Sequence, residues 1–184
     1  MKVVFLGAPG AGKGTQAALA STRFGIPHIS TGEMLRAAIA SGRPIGETAH
    51  AFLDAGQLVP DEVMIDVVRN RISDPDCARG FLLDGFPRTL AQAEALDHLC
   101  AELHCELTNV LDFVVPVEVL EERLLARGRS DDTPEVIAER LRVYERQTRP
   151  LSDFYRQRGT LQKVDGVGSI EELHARVVRL LEKG

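Results

Sequence analysis

The sequence predicts an α/β fold in which five parallel strands form one sheet with helices on both faces. Short apolar segments recur along the chain and alternate with longer segments whose apolar residues have helical spacing. The first apolar segment is followed at once by a glycine-rich turn and a helix. With 184 residues, of which 44% are hydrophobic, the chain has the size of one domain and enough apolar side chains for a core.

Five segments have the composition of strands. Residues 1–6 are mostly β-branched, aliphatic and aromatic, as in a strand that is buried on both faces of a parallel sheet. The others are residues 27–30, 80–84, 110–115 and 161–165. Ligands of such sheets bind beyond the carboxyl ends of the strands. We therefore expect the turns that follow the first, third and fifth strands to converge on one site.

The segments between the strands are predicted to be helices. Their expected ranges are 15–24, 31–41, 45–55, 60–73, 89–105, 116–127, 133–158 and, from residue 169 onward, the last helix. Thr31 is a candidate N-cap, and Thr89 with Gln92 fits a capping box. Because no strand is predicted between residues 31 and 79, this block of helices is expected to form a small mobile subdomain at the edge of the sheet.

The glycine-rich turn, residues 7–13, reads Gly-Ala-Pro-Gly-Ala-Gly-Lys and matches the G-x-x-x-x-G-K pattern of phosphate-binding loops. Glycine lets the backbone approach phosphate oxygens closely, and the freed N–H groups and the following helix N-terminus attract anions. Lys13 can reach the β- and γ-phosphates of a nucleotide. The general pattern has Ser or Thr directly after Lys, but here Gly14 intervenes before Thr15. We therefore expect Mg²⁺ to be held more by water and a carboxylate than by this hydroxyl.

Asp84 is the candidate for that carboxylate. It ends an apolar strand, where a carboxylate is costly unless it is paired or bound to a metal. Beside a phosphate-binding loop its natural partner is Mg²⁺, reached directly or through water. A helix cap or a salt bridge is the structural alternative. His28 has no partner close in sequence and is expected to be structural.

A group of arginines lies on both sides of a short polar loop in the second half of the chain. Its members are Arg123, Arg127, Arg129 and Arg140. Arg123 and Arg127 share one helix face, where like charges repel unless an anion or an acid such as Glu122 or Asp131 lies nearby. Because phosphoryl transfer spreads negative charge over the moving group, arginines that close from a loop suit that reaction. A solvated helix face is the structural alternative.

Three motifs resemble those of the adenylate kinase family. They are Gly-x-Pro-Gly-x-Gly-Lys-Gly-Thr-Gln at residues 7–16, Ser30-Thr31-Gly32-x-x-Leu35-Arg36, and Asp84-Gly85-Phe86-Pro87-Arg88-Thr89-x-x-Gln92. They agree in order and spacing, and the resemblance covers essentially the whole chain. It implies a P-loop nucleotide kinase fold and reversible, Mg²⁺-dependent phosphoryl transfer from ATP to AMP that gives two ADP. Such a reaction serves adenine nucleotide homeostasis.

The resemblance also implies a division of the single domain into three parts. A core of residues 1–29, 60–126 and 133–184 carries a helical segment that binds AMP, residues 30–59, and a short lid, residues 127–132. The long lid with four metal-binding cysteines that other members carry is absent from this sequence.

The site residues implied by the resemblance fall into three groups. Those expected to bind ATP are Gly10, Ala11, Gly12, Lys13, Gly14, Thr15, Arg127 and Gly168. Those expected to bind AMP are Thr31, Arg36, Gln57, Leu58, Val59, Gly85, Phe86, Pro87, Arg88, Gln92, Arg129 and Arg140. Those expected to act in catalysis are Lys13, Arg88, Arg123, Arg129 and Arg140, with Asp84 holding Mg²⁺ through water. For Thr31 and Gln92 the capping roles stay open beside contacts with adenine.

Composition argues against several other classes of function. The net charge is −5 and the pI about 5.6, so no overall basic field attracts nucleic acid or anionic lipid. No apolar run has the length of a bilayer span, and the N-terminus lacks the pattern of a signal peptide, so a cytoplasmic monomer is expected. Three cysteines without C-x-x-C spacing predict neither a disulfide framework nor a structural zinc site.

Three other functions stay open at this point. A UMP/CMP kinase has the same fold, although Thr31 and Gln92 favour AMP. A nucleotide-hydrolysing switch lacks support because no N-K-x-D motif is present, and it leaves Arg36 and Arg88 unexplained. A non-catalytic interaction protein does not account for the intact phosphate loop.

Overall fold

The sheet places its central strand directly before the glycine-rich turn. The structure, a computed structural model, describes residues 1–129 and 131–183. Within them, all neighbouring strands are parallel and their order is β2-β3-β1-β4-β5. The strands are β1 (Lys2–Gly7), β2 (His28–Ser30), β3 (Phe81–Asp84), β4 (Asn109–Val114) and β5 (Leu161–Asp165). The predicted α/β class and the five parallel strands are confirmed.

Helices fill the connections between these strands. They are α1 (Lys13–Phe24), α2 (Thr31–Ala40), α3 (Pro44–Asp54), α4 (Asp61–Ile72), α5 (Leu90–Glu102), α6 (Val117–Arg127), α7 (Pro134–Val143), α8 (Leu151–Gln157) and α9 (Ile170–Leu181). A 3₁₀ turn lies at Pro75–Cys77 and a π-helical turn at Tyr144–Thr148. Residues 31–80 contain helices and turns only, as predicted, and they follow the edge strand β2. No helix in the described ranges combines the length and apolar character that crossing a membrane requires.

The sheet is buried on both faces. Val4 and Leu6 point into one apolar cluster, which includes side chains of α4, α5 and α8. Val3 and Phe5 point into a second cluster, which includes side chains of α1 and α9. This alternation follows from the two-residue period of a strand. Because β1 is apolar on both faces, it occupies the centre of the sheet and fixes the start of the glycine-rich turn.

One predicted helix is wrong in the structure. The range 133–158 was expected to be continuous, but α7 ends at Val143 and α8 begins at Leu151. Pro150 lies between them, and a proline inside a helix removes a hydrogen bond and clashes with the preceding turn. The chain accommodates it through the π-helical turn, where the N–H of Arg149 donates to the carbonyl of Tyr144 at 2.9 Å.

The N-cap of α2 also differs from the prediction. Ser30, and not Thr31, caps this helix, with its hydroxyl accepting from the N–H of Glu33 at 3.4 Å. Ser30 is extended and pairs with Asp84 in the sheet, so the strand passes directly into the helix. Thr31 is thereby the first helical residue, and its hydroxyl is available for a contact elsewhere.

Candidate nucleotide-binding site

A cleft of about 810 Å³ opens at the carboxyl ends of the strands. Its lining includes the glycine-rich turn, the end of β3, and arginines from α2, α6, α7 and the loop between α6 and α7. Among the residues predicted to form the site, Thr31, Val59, Phe86 and Gln92 lie behind this lining, and all the others contribute to it. The predicted convergence of strand ends is therefore confirmed.

The glycine-rich turn has the backbone that a phosphate loop requires. Gly12 is left-handed, with φ of 87°, and it immediately precedes the first residue of α1. A residue with a Cβ is strained in that conformation, whereas glycine adopts it freely. The turn thus brings the N-terminus of α1 to the floor of the cleft, where its N–H groups can attract an anion.

Lys13 is bonded within its own loop. Its Nζ donates to the carbonyl oxygen of Gly7 at 2.7 Å and to that of Ala8 at 2.8 Å. Burial lowers the pKa of Lys13 to about 8, although the carboxylates of Asp84 and Asp112 partly oppose that shift. A second set of negative charges in the cleft would favour the ammonium form.

Asp84 is charged and faces the cleft. Burial alone would raise its pKa, but His28 and the positive charges of Lys13 and Arg88 bring the pKa below its ordinary value. The Nε2 of His28 lies 3.6 Å from Oδ2 of Asp84. An ionised carboxylate beside the glycine-rich turn is the hard oxygen ligand that Mg²⁺ prefers, so the residues present fit this metal.

Gly85 brings two predicted AMP residues together. Its φ is 83°, and a Cβ there would lie 2.8 Å from Oγ1 of Thr31 and 2.9 Å from Nη2 of Arg88. Instead, the Thr31 hydroxyl and Arg88 Nε both donate to the Gly85 carbonyl, at 2.9 and 2.8 Å. The absence of a side chain at this position lets the start of α2 and the Arg88 guanidinium share one carbonyl.

The amide of Gln92 is held by two partners. Its Oε1 accepts from the N–H of Arg88 at 2.7 Å, and its Nε2 donates to Oδ1 of Asp61 at 2.7 Å. Thr89 caps α5 as predicted, but Gln92 reaches Arg88 where a capping box would have it reach Thr89. The predicted capping box is therefore not formed, since Gln92 supports the Arg88 main chain instead, and its contact with adenine stays a prediction.

Arginines crowd one side of the cleft. Burial lowers the pKa values of Arg36, Arg88 and Arg129 below the ordinary arginine range, and neighbouring arginines, including Arg127 and Arg140, lower them further. Asp84 opposes the shift at Arg88, and Asp131 opposes it at Arg36 and Arg129. Such a concentration of like charge favours binding of an anion with several oxygens, such as a phosphate group.

Acidic side chains pair with Arg127 and Arg140. Asp132, whose side chain is only 1% exposed, accepts from Arg127 at 2.8 and 2.6 Å and from Arg140 at 2.8 Å. Asp131 also pairs with Arg140. The acid predicted beside Arg123 and Arg127 was Glu122 or Asp131, and this prediction is wrong, because Asp132 pairs with Arg127 while Asp131 pairs with Arg140.

The comparisons with other proteins agree with this geometry. A family model described as Adenylate kinase matches residues 5–160. An adenylate kinase of Rhodococcus erythropolis is 50% identical over 183 residues, which cover 100% of both chains. One of Nocardia farcinica is 50% identical over 181 residues, 98% of this chain and 99% of the relative. One of Archaeoglobus fulgidus is 44% identical over 214 residues, 100% of this chain and 99% of the relative.

The chain belongs to the adenylate kinase family. Its place there makes it a phosphotransferase and confirms the resemblance drawn from the three motifs. The fold matches as well, since a parallel five-stranded sheet carries the phosphate loop after its central strand.

In this adenylate kinase family member, the α2–α3 segment touches α7 across the cleft. Gln57 pairs with Glu139, and Nη2 of Arg140 donates to the carbonyl of Leu53 at 3.4 Å. A Cβ on Gly56 would lie 3.1 Å from the carbonyl oxygen of Val136. The segment expected to bind AMP therefore meets α7, the helix that follows the expected lid.

Sequence reasoning missed three residues that hold the candidate site together. Asp61 accepts from Gln92 and Thr89, Asp132 joins Arg127 to Arg140, and the hydroxyl of Thr148 donates to the Arg88 carbonyl at 2.8 Å. Asp61 had an apparent explanation as a helix-start signal. For Thr148 the sequence does contain a signal, because Pro150 indicates that a helix through residue 148 is interrupted.

Proposed function

We propose that the protein catalyses the reversible, Mg²⁺-dependent transfer of the γ-phosphoryl group of ATP to AMP, which gives two ADP. The observation that carries this proposal is the presence of two positively charged regions in one cleft. Lys13 and the N-terminus of α1 form one, and Arg36 and Arg88 form part of the other. A hydrolase needs only the first site, so the second supports a phosphate-bearing acceptor.

The donor side comprises the glycine-rich turn and the lid. In the proposal, backbone N–H groups from Gly10 to Thr15 surround the β- and γ-phosphates, and Lys13 exchanges its loop carbonyls for phosphate oxygens. Arg127 and Gly168 lie along the same cleft and contact the donor nucleotide. Arg123, which donates to the Gly166 carbonyl at 3.1 Å, stands close enough to the loop after β5 to support it.

The acceptor side comprises the start of α2 and the Gly85–Arg88 turn. Arg36 and Arg88 bind the AMP phosphate through their planar guanidinium groups. Gln57, Leu58 and the Gly85 turn lie beside the base and ribose in this proposal. Thr31, Val59, Phe86 and Gln92 shape this wall from behind the cleft lining.

The chemistry needs charge stabilisation and positioning more than proton transfer. The AMP phosphate is already an anion at neutral pH, so it attacks without a general base. Arg88, Arg129 and Arg140 stabilise the negative charge that develops on the transferred group. Asp84 would hold Mg²⁺ through water, and this ion supplies neutralisation of charge on the β- and γ-oxygens.

The proposed reaction also includes closure of the cleft over both nucleotides. Residues 30–59 and the lid, residues 127–132, swing over AMP and ATP respectively, and expulsion of water strengthens the contacts of the arginines with phosphate. The contacts of Gln57 and Leu53 with α7 support an inward position for residues 30–59. The cytoplasmic location, the monomeric state and the absence of a structural zinc ion stay predictions.

Substitution of Lys13 tests the proposal. Lys13→Met should lower turnover of ATP and AMP by roughly 10²- to 10³-fold, about 3–4 kcal/mol, because it removes one cation beside the transferred phosphoryl group. Lys163→Met is a matched control, since Lys163 is an exposed residue of β5 outside the cleft lining. Near-normal turnover in a folded Lys13→Met protein, verified by circular dichroism, contradicts the assignment.

A further inference from the structure

The main chain of Arg88 is held on both of its sides by side chains. Its N–H donates to Oε1 of Gln92 at 2.7 Å, and its carbonyl accepts from the hydroxyl of Thr148 at 2.8 Å. Its side chain is held as well, because Nε donates to the Gly85 carbonyl at 2.8 Å. These three bonds leave the terminal nitrogens of the guanidinium as the groups that can meet a ligand.

The π-helical turn places Thr148 where its hydroxyl can donate to the Arg88 carbonyl. Thr148 ends this turn, is buried at 8% exposure and contributes to the lining of the cleft. In a regular helix the extra residue of the turn would be missing, and the residues after it would rotate to another face. The interruption before Pro150 thus has a consequence for the site, since it aims a hydroxyl at the loop that carries Arg88.

We propose that Thr148 is a positioning residue that holds the Arg88 turn so that its guanidinium faces the acceptor phosphate. The inference rests on the proposed role of Arg88 in binding AMP. Thr148 makes no contact with the reacting atoms in this account, and its effect passes through the Arg88 main chain. The hydroxyl is a fixed donor because its partner is a backbone carbonyl of a buried turn.

Thr148→Val removes the donor with little change in shape. The Arg88 carbonyl then lacks this partner, and the turn can relax by a small displacement. Small displacements of a charged group that stabilises a transition state are costly, so we expect kcat/KM for AMP to fall by about 10- to 100-fold. The KM for ATP at saturating AMP should change less than about twofold, because the donor loop makes no contact with this bond.

The experiment compares kcat and KM for each nucleotide in wild type, Thr148→Val, Thr148→Ser and Thr160→Val. Thr148→Ser keeps the hydroxyl and should recover most of the AMP efficiency. Thr160→Val is the matched control, because its hydroxyl donates to the Tyr155 carbonyl at 3.4 Å in a partly buried place outside the cleft lining. Should Thr148→Val be too unstable to assay, Thr148→Cys, a weak donor of similar size, takes its place with the same expectation.

A double-mutant cycle with Arg88→Lys separates positioning from direct contact with the nucleotide. If Thr148 acts through Arg88, the valine substitution should have little further effect in the Arg88→Lys background. Full additivity of the two losses, or AMP kinetics of Thr148→Val equal to those of wild type, overturns the inference. Failure of wild type itself to phosphorylate AMP would instead overturn the proposed function, so the two failures are distinguishable.

Discussion

The ammonium nitrogen of Lys13 lies 2.7 Å from the carbonyl oxygen of Gly7. Two loop carbonyls therefore occupy the donors that the proposal assigns to nucleotide phosphates, and the side chain is curled back over its own turn. Neutral carbonyls compensate an ammonium less well than phosphate oxygens do. This difference in partner is the basis of a pH-dependent prediction.

Binding of ATP near the alkaline limit should take up a proton. Burial lowers the pKa of Lys13 from 10.5 to about 8, so the free protein has largely lost this proton at about pH 9. Triphosphate favours the ammonium form and raises its pKa again, so most of one proton per chain should be taken up at that pH. Calorimetric titrations in two buffers of different ionisation enthalpy measure this number.

Lys13→Met provides the control for proton uptake. It should bind ATP without uptake at the same pH, and wild type near pH 7 should show none from this lysine because the ammonium is already formed. Equal uptake in Lys13→Met and wild type would assign the proton to another group.

The effect of Lys13 on the free energy of unfolding has the opposite pH dependence to that of a lysine in an ordinary ion pair. The unfolded chain retains the proton up to about pH 10.5, so this group makes the ligand-free protein more stable as the pH rises from about 8 to 10.5.

Asp84 should set the requirement for magnesium. Asp84→Asn keeps the size of the side chain and removes the charge, so the Mg²⁺ concentration for half-maximal activity should rise by roughly tenfold or more. Binding of metal-free ATP should weaken little, or strengthen, because a negative charge near the phosphates is lost. Fluorescence titration with a labelled nucleotide, with and without Mg²⁺, gives the second readout. An unchanged magnesium requirement would remove Asp84 from the metal site.

The sequence was sufficient to predict the position of the site. Strand ends of a parallel sheet meet at one edge, and the glycine pattern after β1 is typical of a phosphate-binding loop, so the sequence alone places Gly12, Lys13 and Asp84 together. The side-chain partners were less predictable. Asp132 pairs with Arg127 and Arg140 through a loop whose path depends on the packing of α6 against α7.

Two predictions about helices were wrong, one about the N-cap of α2 and one about the helix predicted over residues 133–158. Ser30 and Thr31 both carry hydroxyls that can cap α2, and only the sheet register, which extends β2 through Ser30, decides between them. The helix predicted through residue 150 followed the apolar spacing and gave too little weight to Pro150. The resulting π-helical turn brings Thr148 to Arg88, a contact between residues 60 positions apart in sequence.

Gln92 offers a test that separates base recognition from support of Arg88. A Gln amide can pair with both the ring nitrogen and the amino group of adenine, whereas its observed bonds go to Asp61 and the Arg88 N–H. Gln92→Leu should raise KM for AMP by about 10- to 100-fold. If the amide reads adenine, the preference for AMP over CMP and UMP should narrow by a similar factor.

Loss of support alone gives a different pattern. Arg88 meets the phosphate that all monophosphates share, so a purely structural Gln92 would weaken AMP, CMP and UMP equally and leave their ratios unchanged. Asp61→Asn provides a second variant. It keeps the size of the side chain that accepts from Gln92 Nε2, but it removes the charge that helps to fix the orientation of the Gln92 amide. An unaltered selectivity in both variants, with all three substrates weakened, would place base recognition elsewhere, near Val59 and Gly85.

Formation of ADP from ATP and a panel of monophosphates tests the central claim most directly. With saturating MgATP, initial rates are measured for AMP, CMP and UMP, and the ADP produced is counted against the AMP consumed. We predict two ADP for each AMP, an absolute need for Mg²⁺, and a kcat/KM for AMP at least about tenfold above that for CMP or UMP. ADP formation that is independent of any monophosphate, or equal efficiency with CMP and UMP, would contradict the account.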